Sequence, residues 1–370
     1  MHRHFRLALA LLFLSPMTQA QTTFVYIGTQ AAAPEMGIAV ASFDSATGVL
    51  SEPKLIMKTP DPAFMALHPS GSHLYVCNTG TPGGVSAFAV ERSNGSLTLL
   101  NHQVAEGRGP SHIALDRTGA FVLDANYGGG FVEVFRREAD GRLGERTALI
   151  RHSGSSIHPE RQTKPYAHWF GVDPSNRFAL AIDLGTDRIA IYRFDARSGA
   201  LTPHDPSHAS VKSGSGPRHL AWHPNGRLAY VIQELTNEII VFGWDSTKGT
   251  LSELQTVPTL PAAFSGTNTA AEIAVHPNGK YLYASNRGHD SIASYAIDAH
   301  TGRLKLLAHI SSQGKTPRYF AFDPTARWMI VSNQDSGDVA VLEVDGTSGE
   351  LRAQQGSRKL GKPMGIVFLR

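Results

Sequence analysis

A Gly-x-Leu turn recurs seven times along the chain, at Gly48, Gly95, Gly141, Gly199, Gly249, Gly302 and Gly349, at intervals of 47, 46, 58, 50, 53 and 47 residues. A second marker runs in phase with it: "HPSG" at His68, "DRTG" at Asp116, "DPSN" at Asp173, "HPNG" at His223 and His276, and "DPTA" at Asp323. Two markers sharing one phase define a repeat, and a repeat must be read before any single segment. Between markers the order is constant. An apolar run such as Leu220–Trp222 enters the His/Asp turn, a β-rich run such as Tyr281–Asn286 follows, then an alternating run (Ile292–Ile297), then the glycine turn and a last apolar run (Leu304–Ile310).

Short runs at this turn density, without helical periodicity, predict four-stranded antiparallel units. Units of this length predict the blades of an all-β propeller. The ends set the count. "FVYIG" at Phe24–Gly28 matches the second strand of a unit, and "PMGIVFL" at Pro363–Leu369 matches a first strand. The expectation is therefore a seven-bladed β-propeller over residues 21–370, closed by the C-terminal strand joining the N-terminal blade. Closure leaves no open sheet edge. Cys77 is the only cysteine, so no intrachain disulfide and no cysteine-based zinc site can form.

Residues 1–20 read as a cleavable export signal. His2, Arg3, His4 and Arg6 precede an apolar run, Leu7–Leu14, too short to span a bilayer, and Thr18-Gln19-Ala20 supplies small residues for cleavage. The expected location is periplasmic or secreted, with no membrane contact after cleavage. The whole chain carries a formal charge of +3, and loss of the two leader arginines leaves +1. A nearly neutral chain gives no argument for a nucleic-acid partner.

The start of the first strand of each unit lies beside the end of the second, so these positions should line one mouth of the central channel. The strand-two ends are Thr29-Gln30, Asn78-Thr79, Asn126-Tyr127, Asp183-Leu184, Gln233-Glu234, Asn286-Arg287 and Asn333-Gln334. The strand-one starts are Ala63-Phe64, Ser111-His112, His168-Trp169, Arg218-His219, Ala271-Glu272, Arg318-Tyr319 and Met364-Gly365. Asn and Asp end strands well because they tolerate turn geometry. That does not account for Glu234, Arg218, Arg287, Arg318 or His168. The longest interval falls on "RHSGSSIHPERQTKPYAHW" (Arg151–Trp169), an insertion leading into His168. Long loops on a rigid scaffold commonly shape a binding site.

"GPRHLAWHPNGRLAYVIQEL" (Gly216–Leu235), "VLDANYGGG" (Val122–Gly130), "FALAIDLGTDRI" (Phe178–Ile189) and "LYASNRGHDSI" (Leu282–Ile292) resemble the seven-bladed lactonase family. That family includes the propeller-type 6-phosphogluconolactonases, gluconolactonases and carboxymuconate lactonising enzymes. The resemblance spans residues 24–369, and its most specific part is Pro-Arg-His followed sixteen residues later by a glutamate. It implies a catalytic set of His168, Arg218, Glu234 and Arg287. Two departures fall in the same region. Tyr166 stands where the family often has a second histidine, and Trp169 stands where the residue is usually small.

Ring opening of a lactone needs an activated water, a held oxyanion and a proton for the leaving alkoxide. His168 or Glu234 could act as base, and Arg218 and Arg287 can hold an oxyanion, carboxylate or phosphate. Arg218 and Glu234 could equally form a structural ion pair. His219, His112, Arg318, Trp169 and His289 are candidate substrate-binding residues. No metal-ligand spacing, nucleotide loop or cofactor motif is present, so no metal or cofactor is expected; the resemblance implies a small-molecule lactone as the partner. The resemblance implies a hydrolase acting on a gluconolactone or 6-phosphogluconolactone. A carboxymuconate-type cycloisomerase and a non-enzymatic propeller scaffold are the alternatives. Export favours the unphosphorylated lactone, since sugar phosphates are kept in the cytoplasm.

Overall fold

A computed structural model describes residues 22–369 apart from 33, 81, 82 and 108. The expected leader, residues 1–20, lies outside the described residues. The strands form seven antiparallel sheets. The innermost strands of blades 1 to 7 are Pro363–Phe368, Pro62–Leu67, Pro110–Leu115, Ala167–Val172, Pro217–Trp222, Thr269–Val275 and Pro317–Phe322. Each contacts the next around a ring, and the last contacts the first. Blade 1 is completed as expected: Pro363–Phe368 pairs antiparallel with Thr22–Thr29, Phe368 opposite Val25. The outermost strands of blades 1 and 7 are each broken into two short pieces.

The two sequence markers have physical causes. In "DRTG", "DPSN" and "DPTA" the aspartate closes the turn between the first two strands. One carboxylate oxygen of Asp173 accepts from Phe178 N at 2.9 Å, and the other accepts from Ser175 N and Oγ. Asp116 and Asp323 repeat the arrangement. The glycine marker is a joint between blades. All seven glycines have φ between +67° and +89°, the left-handed region that a side chain resists. A Cβ at Gly48 would lie 2.4 Å from the Trp328 ring, and one at Gly249 2.4 Å from the Phe178 ring, each on a neighbouring blade. Tyrosines complete the joint: Tyr26, Tyr75, Tyr230 and Tyr283 each donate to a marker-glycine carbonyl of the next blade. The core follows suit. Seven hydrophobic clusters lie at the seven blade interfaces, so each blade needs only its neighbours to bury its faces.

One irregularity repeats around the ring and builds the pocket. Register shifts at the start of each innermost strand. In blade 4, Ala167 pairs with Asp183 and Trp169 with Ile182, which leaves His168 unpaired. The same skip isolates Ala63, Ser111, Arg218 and Arg318, and similar shifts cover Ala271-Glu272 and Met364-Gly365. A β-bulge of this kind re-aims the extra side chain.

Candidate functional site

The bulges sort the strand-one residues into two tiers. The first residue of the pair in five blades (Ala63, Ser111, His168, Arg318 and Met364) lines a cavity of about 390 Å³ at the channel mouth. From the strand-two ends come Gln30, Thr79, Tyr127, Glu234, Arg287 and Gln334. Arg161 enters from the insertion between blades 3 and 4.

The second residue of each pair forms the floor. Phe64 packs on His112 with ring centroids 4.4 Å apart, on Tyr319 at 5.0 Å and on His219 at 5.8 Å. Trp169 lies 5.3 Å from His112. Gly365 fits only because it has no side chain: a Cβ there would sit 2.9 Å from Ala63 O. The floor narrows the channel to a second void of about 10 Å³, room for about one water, bordered by Arg218, His219, Glu272, Arg318 and Tyr319 among others.

Glu234 is the electrostatic centre. Arg161 donates to its Oε1. Arg218 Nε lies 2.9 Å and Arg287 Nη2 3.0 Å from its Oε2. The last two are ion pairs, and both guanidiniums also donate to backbone carbonyls: Arg218 Nη1 to Ala271 O at 2.7 Å, Arg287 Nη2 to Ala270 O at 3.1 Å. Burial alone would push the Glu234 carboxyl up, but the charges of Arg287, Arg218 and Arg161 outweigh it and hold the group well below the usual carboxylate range. Arg318 faces the cavity with no hydrogen bond and no ion pair among the described residues. Glu272 differs from Glu234. Burial pushes its carboxyl up to about 8 against the opposing charges of Arg218 and Arg318. At neutral pH the site therefore holds four guanidiniums and one carboxylate.

His168 stands beside this cluster, 5.4 Å from the Tyr127 ring and 5.0 Å from that of His219. Burial first, and the Arg218 charge second, push its imidazole well below the ordinary value, so it is neutral at physiological pH. Its Nδ1 is buried without a partner, which leaves Nε2 as the nitrogen available to the cavity.

His168, Glu234, Arg287 and Arg318 thus line one cavity, and Arg218 backs Glu234 from the lower void, as the slots predict. His219 lies in the floor. His112 and Trp169 do not line the cavity: Trp169 packs into the core between blades 4 and 5, and His112 accepts from Phe170 N. An aromatic face for a sugar at Trp169 is not what the bulge provides, because it turns His168 inward and Trp169 down. His289 also stands aside, its Nδ1 bonded to Ser291 Oγ and its ring against Phe264. Sequence reasoning did not single out Arg161, which reaches Glu234 by a loop path that no periodicity encodes, nor Glu272, which occupied a recognised slot. Among the described residues no group of three or more His, Cys, Asp or Glu side chains is placed to hold a metal ion, and no helix is long and apolar enough to cross a membrane.

Residues 24–368 match the family described as "Lactonase, 7-bladed beta-propeller". A 6-phosphogluconolactonase of Bacillus subtilis is 36% identical over 345 residues, 93% of this chain and 97% of that one. A 6-phosphogluconolactonase of Serratia proteamaculans is 32% identical over 291 residues, 78% of this chain and 82% of that one. Among solved structures, a periplasmic gluconolactonase of Pseudomonas aeruginosa superposes with a TM-score of 0.89 at 30% identity, covering 94% of this chain and 99% of that one.

Proposed function

The chain belongs to the seven-bladed β-propeller lactonase family, and from that premise we propose that it hydrolyses a sugar 1,5-lactone to the aldonic acid at the channel-mouth cavity. The observation that carries this reading is the pairing of opposites in one pocket. A histidine kept neutral by burial stands beside guanidiniums that together outnumber the carboxylate they share. A neutral imidazole can take a proton from water at physiological pH. Fixed cations in a partly dehydrated pocket stabilise the oxyanion that this attack creates.

The roles divide by charge. Glu234 has both carboxylate oxygens engaged by arginines, whereas His168 keeps a nitrogen available to the cavity, so we assign proton transfer to His168. Nε2 of His168 accepts the proton of the attacking water, the hydroxyl adds to the carbonyl carbon, and negative charge grows on the carbonyl oxygen. Arg287 and Arg318 border the cavity where that charge appears. When the bond to the ring oxygen breaks, the proton on His168 passes to that oxygen and the histidine returns to its starting state. Glu234 holds Arg161, Arg218 and Arg287 in place.

The substrate we favour is glucono-1,5-lactone. Residues 1–20 read as an export signal, and an exported enzyme meets aldonolactones rather than sugar phosphates. The solved structure of a periplasmic gluconolactonase with the same fold supports that choice. One observation favours a second reading, the 6-phosphorylated lactone. Arg318 makes no hydrogen bond or ion pair among the described residues, and the surplus of positive charge suits a substrate that is already an anion. Initial rates on both lactones at one pH, with spontaneous hydrolysis subtracted, separate the two. The first reading expects higher kcat/KM for the neutral lactone and a similar loss on both in Arg318→Gln. The second expects the phosphorylated lactone to lead and to suffer alone in that variant. His168→Ala should lower kcat by ~10²–10⁴ on either substrate, the usual worth of a positioned acid or base. Unchanged turnover would remove the whole assignment.

A further inference from the structure

The floor of the pocket is built of rings and small residues, yet it contains one carboxyl group. Glu272 comes from the bulged start of the blade 6 inner strand, which is seven residues long where each of its six counterparts has six. Its Oε2 lies 3.0 Å from Nδ1 of His219. Both side chains are almost wholly buried, and Nε2 of His219 has no partner. The His168 ring lies 5.0 Å from the His219 ring, and Nδ1 of His168 is also buried and unpartnered. Buried polar atoms without partners are costly and uncommon. The two rings meet edge-on, with planes at 68°, and a rotation of either ring would join these two unpartnered nitrogens in a hydrogen bond.

We infer that Glu272 and His219 are positioning residues that set which ring nitrogen of His168 carries its proton, and thereby make Nε2 of His168 the base of lactone hydrolysis. The inference rests on the reading of His168 given above. In the active arrangement, the Glu272 carboxylate accepts from Nδ1–H of His219. Nε2 of His219 then accepts from Nδ1–H of His168, and Nε2 of His168 keeps a free lone pair toward the cavity. Water gives its proton to that lone pair as its oxygen bonds to the carbonyl carbon. The carbon–ring-oxygen bond breaks and the same proton goes to the ring oxygen. His219 and Glu272 neither gain nor lose a proton. In the opposite arrangement the Glu272 carboxyl keeps its proton and donates it to Nδ1 of His219. The His219 proton then sits on Nε2 and points at Nδ1 of His168, whose own proton is forced onto Nε2, and no base faces the cavity.

The ionisation of Glu272 selects between these arrangements. The groups facing it are Arg218 and His219 from blade 5 and Arg318 and Tyr319 from blade 7. The arginines favour the carboxylate, but burial dominates and moves the exchange to mildly alkaline pH, near 8.

Two measurements test this. In folded wild-type protein with ¹⁵N-labelled histidine, the nitrogen shifts of His168 from about pH 6 to about pH 9 should show the bare-Nε2 tautomer growing as Glu272 ionises. In Glu272→Gln the amide can accept from or donate to Nδ1 of His219 but cannot titrate, so pH no longer selects between the arrangements. That variant should keep KM within about threefold and lose the rise of kcat between about pH 6 and about pH 8. A His168 tautomer indifferent to pH in the wild type overturns the inference. So does wild-type kcat with an unchanged pH profile in Glu272→Gln. If that variant does not fold, the wild-type shifts decide alone. His168→Ala keeps the two readings apart: activity surviving it sinks the assignment of His168, whereas a Glu272→Gln enzyme that keeps the wild-type pH profile and still depends on His168 sinks only the positioning pair.

Discussion

Arg161 reaches Glu234 across 73 residues of sequence, from the insertion between blades 3 and 4 to the end of the second strand of blade 5. It is the one guanidinium on Glu234 that no blade strand carries. Its loop is secured at both ends by a single carboxylate. Asp183 Oδ2 lies 2.6 Å from Nδ1 of His152 at the loop's start, and Oδ1 accepts from Tyr166 N at its end. Between them Gln162 donates to Leu184 O and Lys164 to Gly128 O. A rigid scaffold thus holds an irregular segment tightly enough to complete a charged site.

Removing this contact should affect function more than stability. Arg161→Ala leaves Glu234 with Arg218 and Arg287, and the Arg161 side chain is 35% exposed. We expect kcat/KM to fall about tenfold, the worth of one charge-assisted hydrogen bond in such a site, with Tm lowered by no more than ~2 °C. Steady-state kinetics and a thermal melt check this. Unchanged kinetics would make the insertion a cover rather than part of the site.

Glu234→Gln should be far more severe, because it leaves three guanidiniums facing one another without a counter-charge. Breaking a buried ion pair by removing one partner costs ~3–5 kcal/mol. The variant should therefore melt several degrees lower and lose ~10²-fold or more in kcat. If Glu234 were the base, Arg161→Ala would raise its proton affinity and shift the acid limb of the rate profile upward. If Glu234 only orders the arginines, that limb stays in place.

The fold was legible because its markers are local. A glycine with positive φ against a neighbouring blade's ring, and an aspartate closing each inner turn, must recur wherever the blade recurs. The polar slots were legible for the same reason, since alternation and turn position place His168, Arg218 and Arg318 at strand starts. Which residue of each slot faces the cavity was not legible. The bulge that isolates His168 also turns Trp169 into the core, and a one-residue shift in register leaves no trace in composition. Arg161 was hidden for a different reason: a loop's path is set by tertiary bonds such as those to Asp183, not by its own pattern. His289 illustrates the converse, a polar residue close to the mouth in sequence whose bond to Ser291 points it elsewhere.

The floor predicts a stability effect at Gly365. A methyl group there would sit 2.9 Å from Ala63 O and 3.1 Å from the Phe64 Cα, both backbone atoms of an inner strand hemmed in on each side. Gly365→Ala should destabilise by ~1–3 kcal/mol, as overpacking of a close-packed site does. Since Pro363–Phe368 closes the ring, the loss should appear as cooperative unfolding of the whole chain. A denaturant titration with unchanged midpoint would mean that the inner strands can spread.

A last prediction concerns a buried acidic pair outside the site. Asp124 and Glu133 are direct partners across the hairpin of blade 3, and each has one buried carboxyl oxygen without a hydrogen-bond partner. The Cys77 thiol donates to Asp124 Oδ1 at 3.2 Å, and Arg146 reaches the outer oxygen of Glu133. Burial, and then the neighbouring Glu133, push the Asp124 carboxyl well above its ordinary value. The folded protein therefore keeps a proton that the unfolded chain has already released above the ordinary carboxylate value. Between those two values the native state binds more protons than the unfolded one, so stability falls as pH rises. The contribution is fully present below the unfolded value and is lost as pH climbs toward the folded one. Asp124→Asn keeps the acceptor for Cys77 and carries no titrating proton. The difference in unfolding free energy between variant and wild type should therefore shift in the variant's favour as pH rises from about 5 to about 8, at up to ~1.4 kcal/mol per pH unit for one group. Groups shifted elsewhere in the fold, Glu272 and the pocket histidines among them, are common to both proteins and cancel in that difference, whereas Glu133 titrates jointly with Asp124 and contributes to it. Urea titrations at a series of pH values measure it, and a pH-independent difference would mean that Asp124 is already ionised in the folded state.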